Sequence, residues 1–214
     1  MKIIGNFLRR MVSRNGEKGE YSAGYWPGKV RSKLSSLAPK TGSYLEVGCG
    51  EGLFLKDLRI ARPELFLTGA DNWEEILRKA GERHKGDPNV RLFLSSGEKL
   101  PFGDSVFDAA AAVNLLINIK ERVAAEGIVK ELLRVVKSGG SIYFDIRNSA
   151  SFFLSVQYGL ARFYDPDIRV PLNRNAAGDF DHILEGTEIK RHCIGFTKRA
   201  GRRAPIIIIE AKKK

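Results

Sequence analysis

The segment with the clearest chemical character is Leu45-Glu46-Val47-Gly48-Cys49-Gly50-Glu51-Gly52. A short apolar run closes on clustered glycines, which let backbone approach a ligand and turn into a helix without Cβ clashes. The glycines fall at 48, 50 and 52, and position 53 is Leu. A dinucleotide fingerprint needs its third glycine at 53, where the helix packs closely on the strand. Glu46 stands before the first glycine, an acidic group that suits a cationic ligand and not a pyrophosphate. A nicotinamide dehydrogenase is therefore the weakest of the functions considered. The histidines His84, His182 and His192 show no metal-ligand spacing, and Cys49 and Cys193 are too few for a disulfide scaffold or a cysteine-based zinc site. No metal is expected, and Cys49 reads as a small residue that fits the loop.

Elements must place this loop. Tyr44–Val47 reads as a buried strand and Leu53–Ile60 as the helix after it. Strands are predicted at Phe66–Ala70, Arg91–Ser95 and Phe107–Val113, and a helix at Glu74–Arg83. Apolar residues at 124, 128, 129, 132, 133 and 136 recur with helical spacing, and Ser138-Gly139-Gly140 reads as the stop signal of that helix. Ser141–Ile146 is a fifth strand. This alternation predicts an α/β protein with a parallel sheet covered by helices on both faces. The pattern breaks at Asn148–Asp181, which is irregular and aromatic and reads as a cap. Glu188–Phe196 and Ala204–Ala211 are predicted as strands six and seven, joined by a loop too short for a parallel crossover, hence an antiparallel hairpin.

Four segments in order carry a resemblance. Glu46 to Gly52 resembles motif I of the class I S-adenosylmethionine-dependent methyltransferases, and Gly69-Ala70-Asp71 ends strand two where that family has an acidic residue. Ser96-Gly97-Glu98-Lys99-Leu100-Pro101-Phe102 followed by Phe107-Asp108, and Glu131 to Gly140, are similar to stretches of its ubiquinone/menaquinone-type branch. The resemblance covers about residues 43–147. It implies a Rossmann-like doubly wound sheet of about seven strands, mostly parallel with an antiparallel C-terminal hairpin, and a cap insertion at 148–185 between strands five and six. It also implies the cofactor, S-adenosylmethionine, and its product, S-adenosylhomocysteine.

The resemblance implies roles as well. Gly48, Cys49, Gly50 and Gly52 would shape the loop around the methionine moiety, with Glu46 near its amino end. Asp71 would take the ribose hydroxyls. Asn72 and Trp73 would flank the adenine, with Ser96, Gly97 and Glu98 on its other side. Asn114 and Leu115 would line the methionine end. Departures exist: Ser96 stands where the family has an Asp near the adenine, and Ile117 and Asn118 stand where the branch often has two His. No catalytic base is named from Asp145, Arg147, Asn148, Tyr158 and Tyr164. Arg147 could hold an anionic substrate group, and Tyr21, Trp26 and Tyr158 are candidates for substrate contact. For Trp26 the alternative is ordinary packing of an N-terminal helix on the sheet.

At 214 residues and 43% hydrophobic, the chain is long enough for one domain with an elaboration. The expected division is a basic helical segment or lid at 1–42 and a cofactor-binding domain at 43–214. The net charge of +11 lies in the ends: residues 1–40 hold nine basic and two acidic side chains, residues 190–214 nine and one. Residues 1–14 read as a basic amphipathic helix suited to a membrane surface or acidic partner. No apolar run approaches the length of a membrane span and no signal peptide is evident, which points to a cytoplasmic protein. Three functions remain open. The first is a methyltransferase for a small-molecule or lipid-like acceptor. The second is an RNA methyltransferase using the basic termini, and the third a non-catalytic module that binds the cofactor. The sequence is silent on oligomeric state.

Overall fold

A computed structural model of the chain describes residues 25–156, 173–196 and 201–214. Among the described residues seven strands and the four longer helices follow in order: α1 (Tyr25–Leu37), β1 (Thr41–Val47), α2 (Leu53–Ala61), β2 (Glu64–Asp71), α3 (Glu74–Arg83), β3 (Val90–Leu94), β4 (Phe107–Ala112), α4 (Arg122–Val135), β5 (Val136–Arg147), β6 (Glu188–Ile194) and β7 (Ile206–Lys212). The strands form one sheet in the order β3-β2-β1-β4-β5-β7-β6. The first five are parallel, and β7 is antiparallel to both β5 and β6. The expected hairpin is present, with β7 inserted between β5 and β6 rather than at the edge.

Two apolar clusters, one on each face, hold the layers together. On one face α4 buries Ala125, Ile128, Val129, Leu132 and Val135 against Leu45, Ala110 and Phe144. On the other, α1 and α2 bury Trp26, Val30, Leu34, Phe54, Leu55 and Leu58 against Tyr44, Leu67 and Ala111. Because both faces are covered, the interior strands read as unbroken apolar runs. Ile206–Ile209 divides between the faces, Ile207 and Ile209 to the α4 side and Ile206 and Ile208 to the other. In β4 the four alanines Ala109–Ala112 are fully buried, so small size between two helical layers overrides weak strand propensity there.

Several strand boundaries shift by a few residues, and the largest shift, at the start of β5, has a physical reason. Helix α4 ends at Val135, and Val136 is already extended, so Ser138-Gly139-Gly140 lies inside β5 and does not stop the helix. The glycines serve the sheet instead. A Cβ on Gly140 would lie 2.6 Å from the Asp108 carbonyl oxygen, where the β4–β5 register shifts. The Gly139 N–H and Gly140 carbonyl exchange hydrogen bonds with Lys213.

Two of the motif stretches prove to be fastenings. Arg134 in α4 reaches the Phe102 carbonyl and the Asp104 carboxylate, each at 2.8 Å, and the Leu100 carbonyl at 3.3 Å. Its partner Glu131 holds it at 2.7 Å and accepts from the Leu100 N–H. Near the start of β4, Asp108 accepts from the Ser43 N–H and hydroxyl and from Lys137 Nζ, joining β1, β4 and β5. Among the described residues no helix is long and apolar enough to cross a membrane.

Candidate functional site

The parallel strands β1, β4 and β5 finish at one end of the sheet, and the glycine loop lies there. In an open α/β sheet this is where ligands bind. The loop is folded over the end of β2: the Gly48 and Cys49 N–H groups both donate to the Ala70 carbonyl, at 2.7 and 3.1 Å. Gly48 has φ +71°, and a Cβ there would meet Leu115 at 2.7 Å. Gly50 has φ +51° and faces open space, so a ligand can reach its backbone. Asp71, ending β2, accepts from the Gly50 N–H at 2.8 Å and from the Trp73 N–H at 3.0 Å. Its carboxylate thus fixes the loop and the start of α3 while keeping lone pairs for two further donors.

Beside the loop opens a pocket of about 350 Å³ lined by Arg31, Glu46, Cys49, Gly50, Glu51, Leu53, Phe54, Ile76, Val113 and Asn114. Glu46 is buried, and its Oε2 finds no hydrogen-bond partner. Burial pushes its carboxyl well above the usual range; Arg31 opposes this, while Asp71 and Asp57 add to it. Burial likewise raises the Cys49 thiol, with Glu46 and Asp71 contributing, so the thiol stays protonated and is no nucleophile. Arg31 is held by Asp57 at 2.7 Å. It was not singled out from the sequence, because α1 lies before the recognised motifs; Phe54, Ile76 and Val113 were likewise read only as parts of two helices and a strand.

Across the pocket Asn114 adopts φ +54°, a strained conformation for a residue with a side chain. Its N–H donates to Asp145 at 2.6 Å, and its side-chain oxygen accepts from Arg147 at 2.9 Å. Arg147 in turn donates to Asp145 at 2.5 Å. Asn114 Nδ2 is left buried and without a partner. Arg147 is buried in this cluster, so its guanidinium orients Asn114 and is not presented to an anionic group on a substrate. Asp145 spends both oxygens on the same cluster. Asn148 is buried too, its amide donating to the Arg202 and Ala204 carbonyls.

The other anticipated residues fall as follows. Asn72 and Trp73 are exposed beside Asp71, and Ser96, Gly97 and Glu98 form a turn after β3 in which Ser96 Oγ accepts from the Glu98 N–H at 3.3 Å. Leu115 packs under the loop. Gly52 begins α2 in the left-handed conformation, against His84. Trp26 is buried, its ring edge-on to Phe153 and Phe196, which is helix packing rather than open substrate contact. Tyr21, Tyr158 and Tyr164 lie outside the described residues, as do residues 1–14. Among the described residues no group of three or more His, Cys, Asp or Glu could hold a metal ion.

The residues present fit S-adenosylmethionine. A buried carboxylate oxygen without a partner suits a cationic ligand, the Asn114 amide N–H suits an anionic one, and the Asp71 carboxylate suits a pair of hydroxyls.

Comparisons with known proteins agree. The methyltransferase domain family matches residues 45–144. An uncharacterized methyltransferase of Schizosaccharomyces pombe is 33% identical over 124 residues, covering 54% of this chain and 44% of that protein. A ubiquinone/menaquinone biosynthesis C-methyltransferase of Desulfotalea psychrophila is 29% identical over 102 residues, covering 48% and 40%. A tRNA (carboxymethyluridine(34)-5-O)-methyltransferase of Arabidopsis thaliana is 27% identical, covering 56% and 27%. The chain spans less than half the length of these curated relatives. Among solved structures, the N-methyltransferase NodS of Bradyrhizobium japonicum, in complex with S-adenosylhomocysteine, superposes with a TM-score of 0.66 at 14% identity, covering 88% of this chain and 87% of that one. Fold and sequence together liken residues 45–144 to the methyltransferase domain of the class I S-adenosylmethionine-dependent enzymes, with the sequence likeness reaching quinone-type and tRNA-type proteins alike.

Proposed function

We propose that the chain transfers a methyl group from S-adenosylmethionine to a small-molecule or lipid-like acceptor by in-line displacement. The observation that carries the cofactor is the buried, unpartnered Oε2 of Glu46 beside the backbone that Gly50 leaves open. When bound, the sulfonium supplies an activated methyl and its own leaving group, so no metal is required. Glu46 would hold the cationic amino end, Asn114 Nδ2 the carboxylate, and Asp71 the ribose hydroxyls. Gly97 and Glu98, on the loop fastened by Arg134, would close the adenine side. The work left to the protein is positioning and exclusion of water. The buried Asp145–Arg147–Asn114 cluster does this at the methionine end, since it fixes one wall of the pocket.

Calorimetric titration with S-adenosylmethionine and S-adenosylhomocysteine, with NADH as control, tests the reading. Micromolar binding of the first two, lost in Asp71→Ala, is the expected result. Absence of binding to either would leave a vestigial loop. Cofactor binding without turnover across an acceptor screen would favour a regulatory module, since no catalytic base is assigned.

The quinone-type relative and the aromatic composition of the stretch 148–181 support a small or lipid-like acceptor, and a cytoplasmic location is part of this reading. A second reading, an RNA acceptor, is supported by the tRNA-type relative and by the basic ends. Binding to bulk tRNA that weakens steeply with salt would favour it, and no binding at low salt would remove it. In either reading the basic residues before α1 would act as a contact segment, since α1 itself is packed into the core and β1 begins at Thr41.

A further inference from the structure

We propose that Phe152, Val156 and Phe196, with the arginines beside them, form a docking surface for an anionic lipid bilayer. Phe152 is 80% exposed, Phe196 49% and Val156 43%. All three lie at the end of the sheet that carries the glycine loop. Arg147, Ile206 and Ile194 form one row across β5, β7 and β6, and Phe152 and Phe196 follow just beyond it. The patch has a rigid base. Phe153 and Phe196 meet edge-on at 4.7 Å, and both pack on the buried Trp26 of α1.

Among the described residues, three arginines are tied to the segments that carry this patch. Arg174 donates to Ser155 Oγ at 2.7 Å, within the helical stretch 152–156. Arg202 and Arg203 are exposed in the turn Gly201–Arg203, and the Asn148 amide, four residues before Phe152, donates to the Arg202 and Ala204 carbonyls at 2.8 Å. Among the described residues neither Arg202 nor Arg203 has a carboxylate partner. Exposed apolar side chains edged by arginines complement an anionic interface: guanidinium groups meet headgroup phosphates while the rings enter the acyl boundary. A single-stranded nucleic acid would want successive stacking faces along a basic groove, and Val156 offers none. The chain's own N-terminal segment, with Lys2, Arg9, Arg10 and Arg14, has the same sign of charge and does not complement the rim. Docked in this way, the molecule presents to the lipid the end of the sheet that carries the glycine loop. The proposal does not depend on the identity of the methyl acceptor.

Sedimentation of the full chain with phosphatidylcholine vesicles, with and without phosphatidylglycerol, tests it. Binding is expected to the phosphatidylglycerol vesicles and not to phosphatidylcholine alone. The pair Arg202→Glu and Arg203→Glu should lower partitioning about tenfold or more, and the pair Phe152→Ser and Phe196→Ser by a similar factor. The arginine pair sits on an exposed turn and keeps the test informative should the aromatic pair fail to fold, which thermal unfolding would reveal. No binding to phosphatidylglycerol vesicles overturns the proposal. So does equal binding by the wild type and both variants, which would place the contact elsewhere on the chain. Displacement by bulk tRNA, with tRNA binding lost in the same variants, would assign the surface to nucleic acid. A chain that binds vesicles but not S-adenosylmethionine would refute the proposed cofactor and leave this surface standing.

Discussion

Burial raises the Glu46 carboxyl, so in the ligand-free chain this residue favours the protonated form over a pH range where an exposed glutamate is ionised. The sign for stability follows from linkage. A carboxyl with a raised folded-state pKa favours folding below its ordinary range, and that contribution is lost as pH rises toward the folded value. Glu46→Gln should therefore leave the ligand-free chain more stable than wild type at neutral pH, by urea unfolding. The same change should weaken S-adenosylmethionine binding by about tenfold or more, the scale of a charged hydrogen bond. Wild-type affinity should rise with pH as Glu46 ionises, and the variant's should not; equal pH profiles by calorimetry would remove Glu46 from the cationic end. Cys49 gives a second check at this scale. Its thiol is buried and held protonated, whereas Cys193 is exposed. Iodoacetamide should label Cys193 in the folded chain and reach Cys49 only after denaturation.

The fastenings make predictions for elements. Arg134 connects α4 to three points on the loop after β3, so Arg134→Met should cost about 1–3 kcal/mol in denaturant unfolding. It should also weaken cofactor binding, because Gly97 and Glu98 sit on that loop. Asp108 joins three strands, and although burial alone would raise its carboxyl, the Lys137 and Ser43 hydrogen bonds hold it at about 2. A depressed carboxylate stabilises above its ordinary pKa and loses that contribution as pH falls through the folded value. Acid unfolding should thus show a component between about pH 4 and pH 2 that Asp108→Asn removes, worth about 1 kcal/mol after solvent screening. These same stretches explain what could be read in advance. The alternation of apolar runs and glycine stops was legible because each element buries a face in a local pattern. The contacts of Arg134 and Asp108 were visible only as motif letters, since, Glu131 apart, their partners lie 29 or more residues away. Arg31 and the true end of α4 were illegible for a related reason. The first acts through a pocket formed by distant segments, and the second depends on strands β4 and β7 arriving beside Gly140.

At the scale of the whole molecule the sheet's order governs what can be removed. β7 is buried on both faces and hydrogen-bonded on both edges, so Ile208→Ala should cost about 2–5 kcal/mol, at the level of a fully packed core position. A loss below about 1 kcal/mol, the cost of a surface position, would contradict this placement of β7. The order also carries a consequence for biosynthesis. β6 is translated before β7, yet among the described residues its only neighbour in the sheet is β7. On the ribosome, then, β6 has nothing to join when it emerges, and the nascent chain holds a five-stranded sheet whose β5 edge is open. Until Ile206–Ile209 clears the exit tunnel, that edge is available to any extended apolar segment. The interval between translation of β5 and of β7 is when this chain most needs a chaperone, and slowing the ribosome there should raise the aggregated fraction, whereas slowing it after β7 should not.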